Sequence, residues 1–236
     1  MLEKAGRAGA VQEKTYKILH IEDMQNDFVL PTGALPVPGA DALVEPVNNF
    51  LFTVTRASFN LVLVTLDTHF PALYADEEEA GKFPLHCVHG TPGGQMAVDL
   101  SVLPENIPVK YMTKNVFDMW AKRPRHLEDG NPDKSAHDNL FRIMSDPTGK
   151  KGSLARDYFF ENLRARPSET EVAIIGVAAD YCVKYAALGY AQRGYHVVVL
   201  EDLTKGIKRD FAQVLAEDLT LPAGRISIRK SRAFNP

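Results

Sequence analysis

The sequence predicts an α/β fold, a three-layer arrangement in which a six-stranded parallel sheet carries helices on both faces. Three observations lead there. Short apolar runs alternate along the chain with stretches of helical periodicity. The runs are apolar throughout, as in LVLV at 61–64 and VVVL at 197–200, which is the pattern of strands covered on both faces. At 236 residues with 45% hydrophobic content, the chain is long enough for one sizeable core. No internal repeat or linker divides it. We therefore expect one domain over 1–236, with 1–14 as a lead-in.

The first strand is expected from Tyr16 to Glu22, ending at Asp23, and a Pro/Gly-rich loop follows over 31–39. Leu43, Val47, Phe50, Leu51 and Val54 recur at helical spacing and predict a helix over about 40–57, with Pro46 tolerable near its first turns. A second strand, Asn60 to Leu66, ends at Asp67. The stretch 68–93 is full of helix and strand breakers and reads as irregular. The third strand, Val109 to Thr113, ends at Lys114. The segment 115–152 is long, polar and rich in Pro and Gly, with one short helix expected near 135–144. Ordered loops of that length serve as lids or subunit contacts, which leaves room for a homo-oligomer. A helix over 154–164 leads to a fourth strand, Val172 to Val177, and then to a helix from Cys182 to Gly194. A fifth strand over 195–200, a helix over 210–219 and a sixth strand over 225–229 complete the chain.

Composition narrows the functional classes. A net charge of −3 with 24% charged residues provides no basic field for nucleic acid. The apolar runs are too short to span a bilayer, so no membrane association is expected. Two cysteines, Cys87 and Cys182, are too few for a disulfide framework, and a reduced cytoplasmic setting is expected.

The chemistry gathers where strands end. In open parallel sheets, ligands bind beyond the carboxyl ends of the strands, and Asp23, Asp67, Lys114 and the turn before Cys182 all occupy such positions. Any one of them alone is a solvated strand end. Together they make an amide-hydrolysing set: Cys182 as nucleophile, Asp23 as proton acceptor and donor, Lys114 as the cation beside both. A thiol in the first turn of a helix is expected to favour its thiolate, and Lys114 is expected to keep Asp23 ionised. Asp67 and His69, two apart on extended chain, point the same way and can grip one ion, with His86 or His89 as a third ligand. Zn²⁺, Fe²⁺ or Mn²⁺ all suit such donors. The acidic run 76–79 reads as solvated, although one of its carboxylates is within reach of the ion. His20, His126, His137 and His196 read as structural.

In order along the chain, DMQNDF (23–28), LDTH (66–69), HCVHGTPG (86–93), KNVFD (114–118), GVAADYCV (176–183) and EDLTKGI (201–207) resemble the nicotinamidases, within the isochorismatase-like cysteine hydrolases. The resemblance spans about residues 16–210. It implies a six-stranded parallel sheet and hydrolysis of a small amide, nicotinamide, to nicotinate and ammonia. It implies Asp23, Lys114 and Cys182 as the catalytic set, and Asp67, His69 and His86 as ligands of a divalent ion, Zn²⁺ foremost, that holds the pyridine nitrogen. Phe28 and Phe83 are implied as walls around the ring, and the amides of Ala178 and Cys182 as the oxyanion hole, after a non-proline cis bond at Val177–Ala178. Two departures stand out. Ala75 lies where some members place another histidine, leaving Glu78, Glu79 or water to complete the metal site, and the 115–152 segment is longer than usual. The rival readings are a sibling hydrolase acting on another small amide or N-carbamoyl compound, and a binding protein that has lost its chemistry.

Overall fold

A computed structural model describes residues 15–121, 131–219 and 225–234. The lead-in 1–14, His126 and part of the 115–152 segment lie outside the described residues. Among the described residues, eight strands form one sheet: β1 (Tyr16–Glu22), β2 (Leu61–Asp67), β3 (Val109–Lys114), β4 (Arg142–Met144), β5 (Ser153–Ala155), β6 (Thr170–Val177), β7 (His196–Lys205) and β8 (Ile226–Arg229). Their order is β5-β4-β3-β2-β1-β6-β7-β8. The six expected strands pair in parallel from β3 to β8. The expectation of a purely parallel six-stranded sheet is nevertheless incorrect, because β4 and β5 add two short antiparallel strands beside β3. At three residues each, they are too brief to leave a periodic signal.

Seven α-helices accompany the sheet among the described residues: α1 (Asn26–Val29), α2 (Val44–Thr53), α3 (Pro71–Tyr74), α4 (Lys134–Asp138), α5 (Arg156–Glu161), α6 (Cys182–Gln192) and α7 (Phe211–Glu217). Helix α2 is shorter than its apolar pattern suggests because the first expected turn is a 3-10 turn over Asp41–Leu43 and Val54 is already extended. The helix expected over 154–164 gives its first residues to β5. The strand β7 runs five residues beyond its apolar stretch, across a bulge in its pairing with β6.

Continuous apolarity in the central strands has a direct cause. Along β1 and β6, Leu19, Ile21, Ala173 and Ile175 enter one core with α2, whereas Ile18, Val172 and Ile174 enter the other. On that second face lie Val183, Ala186, Ala187 and Tyr190 of α6 and Phe211 and Val214 of α7. Alternate residues thus serve two interiors, which makes the structure three layers. At the carboxyl end of the β1–β6 pair the backbones close in. Gly176 has φ +119°, and a side chain there would meet the Glu22 carbonyl. Among the described residues, no helix is long and apolar enough to cross a membrane.

The double core predicts where substitution is costly. Ile174 is fully buried in β6, and Ile174→Ala should lower the unfolding free energy by about 2–5 kcal/mol in urea titration. Phe52 on α2 is 77% exposed, and Phe52→Ala should change it by about 0.5 kcal/mol or less. Equal costs at the two positions would contradict the layer assignment.

Candidate active site

The strand order brings β3, β2, β1 and β6 side by side, so Lys114, Asp67, Asp23 and the turn to α6 share one edge of the sheet. Lys114 ends β3 with no exposed surface, and its Nζ donates to Asp23 Oδ2 at 2.6 Å. The same ammonium lies 3.3 Å from Cys182 Sγ. Asp23, Lys114 and Cys182 are therefore in mutual reach. Asp23 adopts φ +50°, a left-handed conformation uncommon outside glycine, directly after β1. Such strain is a hallmark of residues whose direction matters more than their backbone comfort.

Burial dominates the protonation of this group. It pushes the Asp23 carboxyl up to about 8, against the pull of Lys114 and reinforced by Glu22 and Asp67. It also pushes the Cys182 thiol up, with Lys114 again opposing. Lys114 is held well above its ordinary value, burial being outweighed by Asp23, Cys182, Asp67 and Glu22. This corrects the expectation that the helix terminus and Lys114 yield a resting thiolate and an ionised Asp23. A charge deprived of water loses more than one cation beside it restores.

The turn at Cys182 contains the expected cis bond between Val177 and Ala178. Tyr181 and Val183 amides donate to the Ala178 carbonyl. Among the described residues, the Ala178 and Cys182 amides have no backbone acceptor. Asp180, in the same turn, ties down a neighbouring loop. Its carboxylate accepts from the amides of Ile207, Lys208 and Arg209 at 2.8, 2.9 and 3.2 Å, pinning the loop after β7 beneath the cysteine turn. Tyr181 is the residue that precedes α6.

The polar letters of DMQNDF hold this edge together. Gln25 Oε1 accepts from the Asp67 amide at 2.7 Å, while its Nε2 donates to the carbonyls of Asp67 and Gly94 at 2.8 and 3.0 Å. Asn26 Nδ2 donates to the Pro92 carbonyl at 2.8 Å, and Asp27 Oδ2 accepts from the Cys87 amide at 2.7 Å. Gly93 makes that contact possible, since a Cβ there would overlap the Asp27 carboxylate. The loop after β1 is thereby tied to the segment containing His86.

Asp67, His69, Glu79 and His86 form a second buried cluster, with one ligand atom of each within 4.8 Å of the others. His69 Nε2 and His86 Nε2 each lie 3.0 Å from Asp67 Oδ2, and 3.7 and 3.4 Å from Glu79 Oε2. The opposite ring nitrogens are occupied: His69 Nδ1 is 2.5 Å from Glu77 Oε2, and His86 Nδ1 donates to the Pro84 carbonyl at 2.7 Å. Both imidazoles thus turn Nε2 to a common centre, held from behind as histidine ligands are by their outer partners in metal sites. Glu79 Oε1 is buried without a partner. Donor types, burial, orientation and that orphaned oxygen all fit a divalent cation. His89, the alternative third ligand, lies against Phe70 instead, with ring centroids 5.6 Å apart.

The acidic run is only half solvated, which corrects the reading from sequence. The short 3-10 turn over Glu78–Gly81 sends Glu78 outward to Lys82 and Glu79 inward. Glu77, also turned in, accepts from Asn115 Nδ2 at 2.6 Å as well as facing His69. Four neighbouring acids carry no periodic signal, so nothing in sequence distinguishes these two. His20 is buried on β1, His137 is buried on α4, and neither joins the metal-fitting cluster, while His196 is exposed.

A narrow pocket is lined by Cys182 and Ala178, by the aromatic side chains of Phe28, Phe83, Phe117 and Tyr181, and by Glu79 and His86 of the metal-fitting cluster. Phe28 lies 5.1 Å from the His86 ring, centroid to centroid. Phe83 packs edge-on to Tyr181 and Phe117, at 5.2 and 6.1 Å. The sequence reading included Phe28 and Phe83 but missed Phe117 and Tyr181, although both lie inside motifs it used.

Comparison with known proteins follows this geometry. The isochorismatase domain family matches residues 152–227. Over 220 residues the chain is 27% identical to the nicotinamidase of Saccharomyces cerevisiae, covering 82% of this chain and 90% of that protein. It is 26% identical over 208 residues to the nicotinamidase/pyrazinamidase of Mycobacterium tuberculosis, covering 86% and 94%. Among solved structures, the zinc complex of Pyrococcus horikoshii pyrazinamidase is 29% identical with a TM-score of 0.59, over 91% of this chain and 98% of that one. A protein from L. infantum in complex with nicotinate is 27% identical with a TM-score of 0.59, over 93% and 95%.

The His/carboxylate cluster generates a test. Burial would lower both imidazoles, yet Asp67 with Glu77 raises His69 to about 10, and Asp67 with Glu79 raises His86 to about 9. Without an ion, both rings therefore hold a proton at neutral pH, and a divalent cation must displace it. Calorimetry of Zn²⁺ binding to chelator-treated protein, in buffers of different ionisation enthalpy, should report on the order of one proton released per imidazole. Binding enthalpy independent of buffer would contradict the arrangement.

Proposed function

The chain belongs to the isochorismatase-like hydrolases, an amidase by kinship with the nicotinamidases, and from that premise we propose that it hydrolyses nicotinamide to nicotinate and ammonia through a thioester on Cys182. The observation that carries this reading is the contact of one buried ammonium with both a carboxylate and a thiol, Lys114 Nζ at 2.6 Å from Asp23 and 3.3 Å from Cys182. No structural purpose requires those three groups together without solvent.

The carboxamide enters the pocket lined by Phe28, Phe83, Phe117 and Tyr181, aromatic side chains suited to a planar ring. Asp67, His69, Glu79 and His86 would hold the divalent ion, zinc by the fit of two imidazoles and two carboxylates. When bound, that ion supplies a Lewis acid suited to a pyridine nitrogen. Ionised Asp23 takes the thiol proton as Cys182 Sγ attacks the carbonyl carbon. The oxygen acquires negative charge facing the free amides of Ala178 and Cys182. Asp23 then returns the proton to the nitrogen, the C–N bond breaks, ammonia departs and a thioester remains. A water gives a proton to Asp23 and its oxygen to the acyl carbon. The thiolate leaves, regains that proton, and nicotinate is released. Lys114 moves no proton; it stabilises whichever of Asp23 and Cys182 bears charge.

Ammonia release from nicotinamide tests the scheme directly. Cys182→Ala should abolish turnover while the folded protein retains ligand binding, and Asp23→Asn should lower kcat by several orders of magnitude with KM little changed. Activity on an N-carbamoyl compound but not on nicotinamide would favour the sibling hydrolase. An active Cys182→Ala variant would end the cysteine reading.

Because the base must be ionised, kcat/KM should rise with pH through about 8, where burial and its neighbours place Asp23. Removing the cation raises Asp23 and Cys182 further. Lys114→Ala should therefore be nearly inactive with its acidic limb displaced upward, whereas Lys114→Arg retains part of the rate. An unchanged profile in Lys114→Ala would remove Lys114 from the mechanism.

A further inference from the structure

Lys114 faces a second carboxylate that the reaction scheme leaves idle. Its Nζ lies 3.5 Å from Glu22 Oε1, in addition to 2.6 Å from Asp23 Oδ2, and all three side chains have no exposed surface. Glu22 is the last residue of β1, on the same strand face as His20. His20 Nε2 lies 3.0 Å from Glu22 Oε2 and 3.2 Å from Thr65 Oγ1. Among the described residues, neither Glu22 oxygen has an aligned hydrogen-bond partner, and Asp23 Oδ1 has none either. Two adjacent carboxylates thus compete for one ammonium in a space without solvent.

Counting charge shows the consequence. With Lys114 and Asp23 alone, both ionised, the buried group is neutral. With Glu22 ionised as well, neutrality is reached only when a further proton stays in the group. In a poorly polarisable interior that difference is substantial, because each net charge lacks compensating water. Glu22 and Asp23 are not equivalent claimants. Burial would raise Glu22, but His20 and Lys114 together hold it below its ordinary value, whereas Asp23 is pushed up. Of the two carboxyls, Asp23 is therefore the one that keeps its proton to higher pH.

We propose that Glu22 is a positioning residue of this site: by sharing the Lys114 ammonium with Asp23, it sets when Asp23 releases its proton and so the pH range in which Cys182 is activated. The other groups bearing on Asp23 are Asp67 of β2, Lys114 of β3 and, in contact with that ammonium, Cys182 of α6. Those bearing on Glu22 are His20 on its own strand, Lys114, the Thr65 hydroxyl of β2 and Tyr190 of α6, whose ring packs edge-on to His20 at 5.7 Å. None of these substitutes for a carboxylate beside the ammonium. The proposal rests on Asp23 being the proton acceptor named above.

The test is Glu22→Gln in the metal-loaded enzyme, which keeps shape and removes charge. The acidic limb of kcat/KM should move to lower pH by about one unit or more, the size of shift one nearby charge produces, with KM unchanged. The pH dependence of Cys182 alkylation by iodoacetamide should move the same way, since Glu22 also raises that thiol. Glu22→Asp, which keeps the charge, should stay close to the parent in both measurements. Coincident curves for Glu22→Gln and the parent would overturn the proposal. Should Glu22→Gln fail to fold, carbon-13 NMR titration of the parent protein decides, with Asp23→Asn providing the assignment. Glu22 must ionise at lower pH than Asp23, and the reverse order overturns the idea. A parent protein with no amide hydrolysis would retire the proposed reaction, while the alkylation curves and the titration still judge Glu22.

Discussion

One buried ammonium organises the active edge of this molecule. Lys114 has no contact with solvent, and an isolated cation there would be untenable. It persists because the parallel order places β3, β2 and β1 side by side and so supplies carboxylates from adjacent strand ends. Removing one partner from a buried pair costs about 3–5 kcal/mol, because the other charge is left uncompensated. The site and the sheet edge are therefore one structure: the strands bring the charges together, and the charges oblige the strand ends to stay in register. Asp67 pairs with Lys114 across β2 and β3, so the metal-fitting cluster inherits the same registration.

The two clusters divide the chemistry. One offers a thiol, a carboxyl and a cation, the means to cleave an amide. The other offers two imidazoles and two carboxylates, the means to hold an ion. Their separation would be set loosely if the loops between them were free. Gln25 prevents that by closing on both sides of Asp67, and Asp27 by gripping the Cys87 amide next to His86. The amide side chains of a motif such as DMQNDF touch neither cluster's centre. Their work is to make one distance reproducible, and a small misplacement of reacting groups is expensive in rate.

Much of this was legible in the sequence for a physical reason. A parallel strand covered on both faces must be apolar along its length, and a charged residue right after it marks the edge where ligands bind. Asp23, Asp67 and Lys114 followed from that rule alone, and the resemblance added Phe28, Phe83 and Ala178 and chose His86 over His89. What stayed hidden was decided by local direction rather than by composition. The strands β4 and β5 are too short to show alternation. Glu77 and Glu79 differ from Asp76 and Glu78 only by the way a single 3-10 turn faces them. Glu22 looked like the polar end of a strand, and only its distance to Lys114 reveals a fourth member of the charged group. The thiolate expected at Cys182 failed for a related reason: sequence shows the helix terminus and the lysine, but not that the thiol is cut off from water.

That desolvation is a cost accepted at the edge and recovered elsewhere. Asp23 and Cys87 hold left-handed backbones without being glycine, and carboxylates crowd one another on both sides of β2. Each such feature opposes folding by a kcal/mol or more by general experience. The central strands meet the cost because every residue from Ile18 to Ile21 and from Leu61 to Val64 is buried, feeding two cores at once. A sheet covered on one face alone would have half that apolar burial with which to hold the same charges. The three-layer architecture is thus tied to the chemistry it carries. A strand anchored from both sides can end in a buried, strained and incompletely paired acid, and it is that burial, with Glu22 and Asp67 nearby, that keeps a proton on Asp23 near neutral pH.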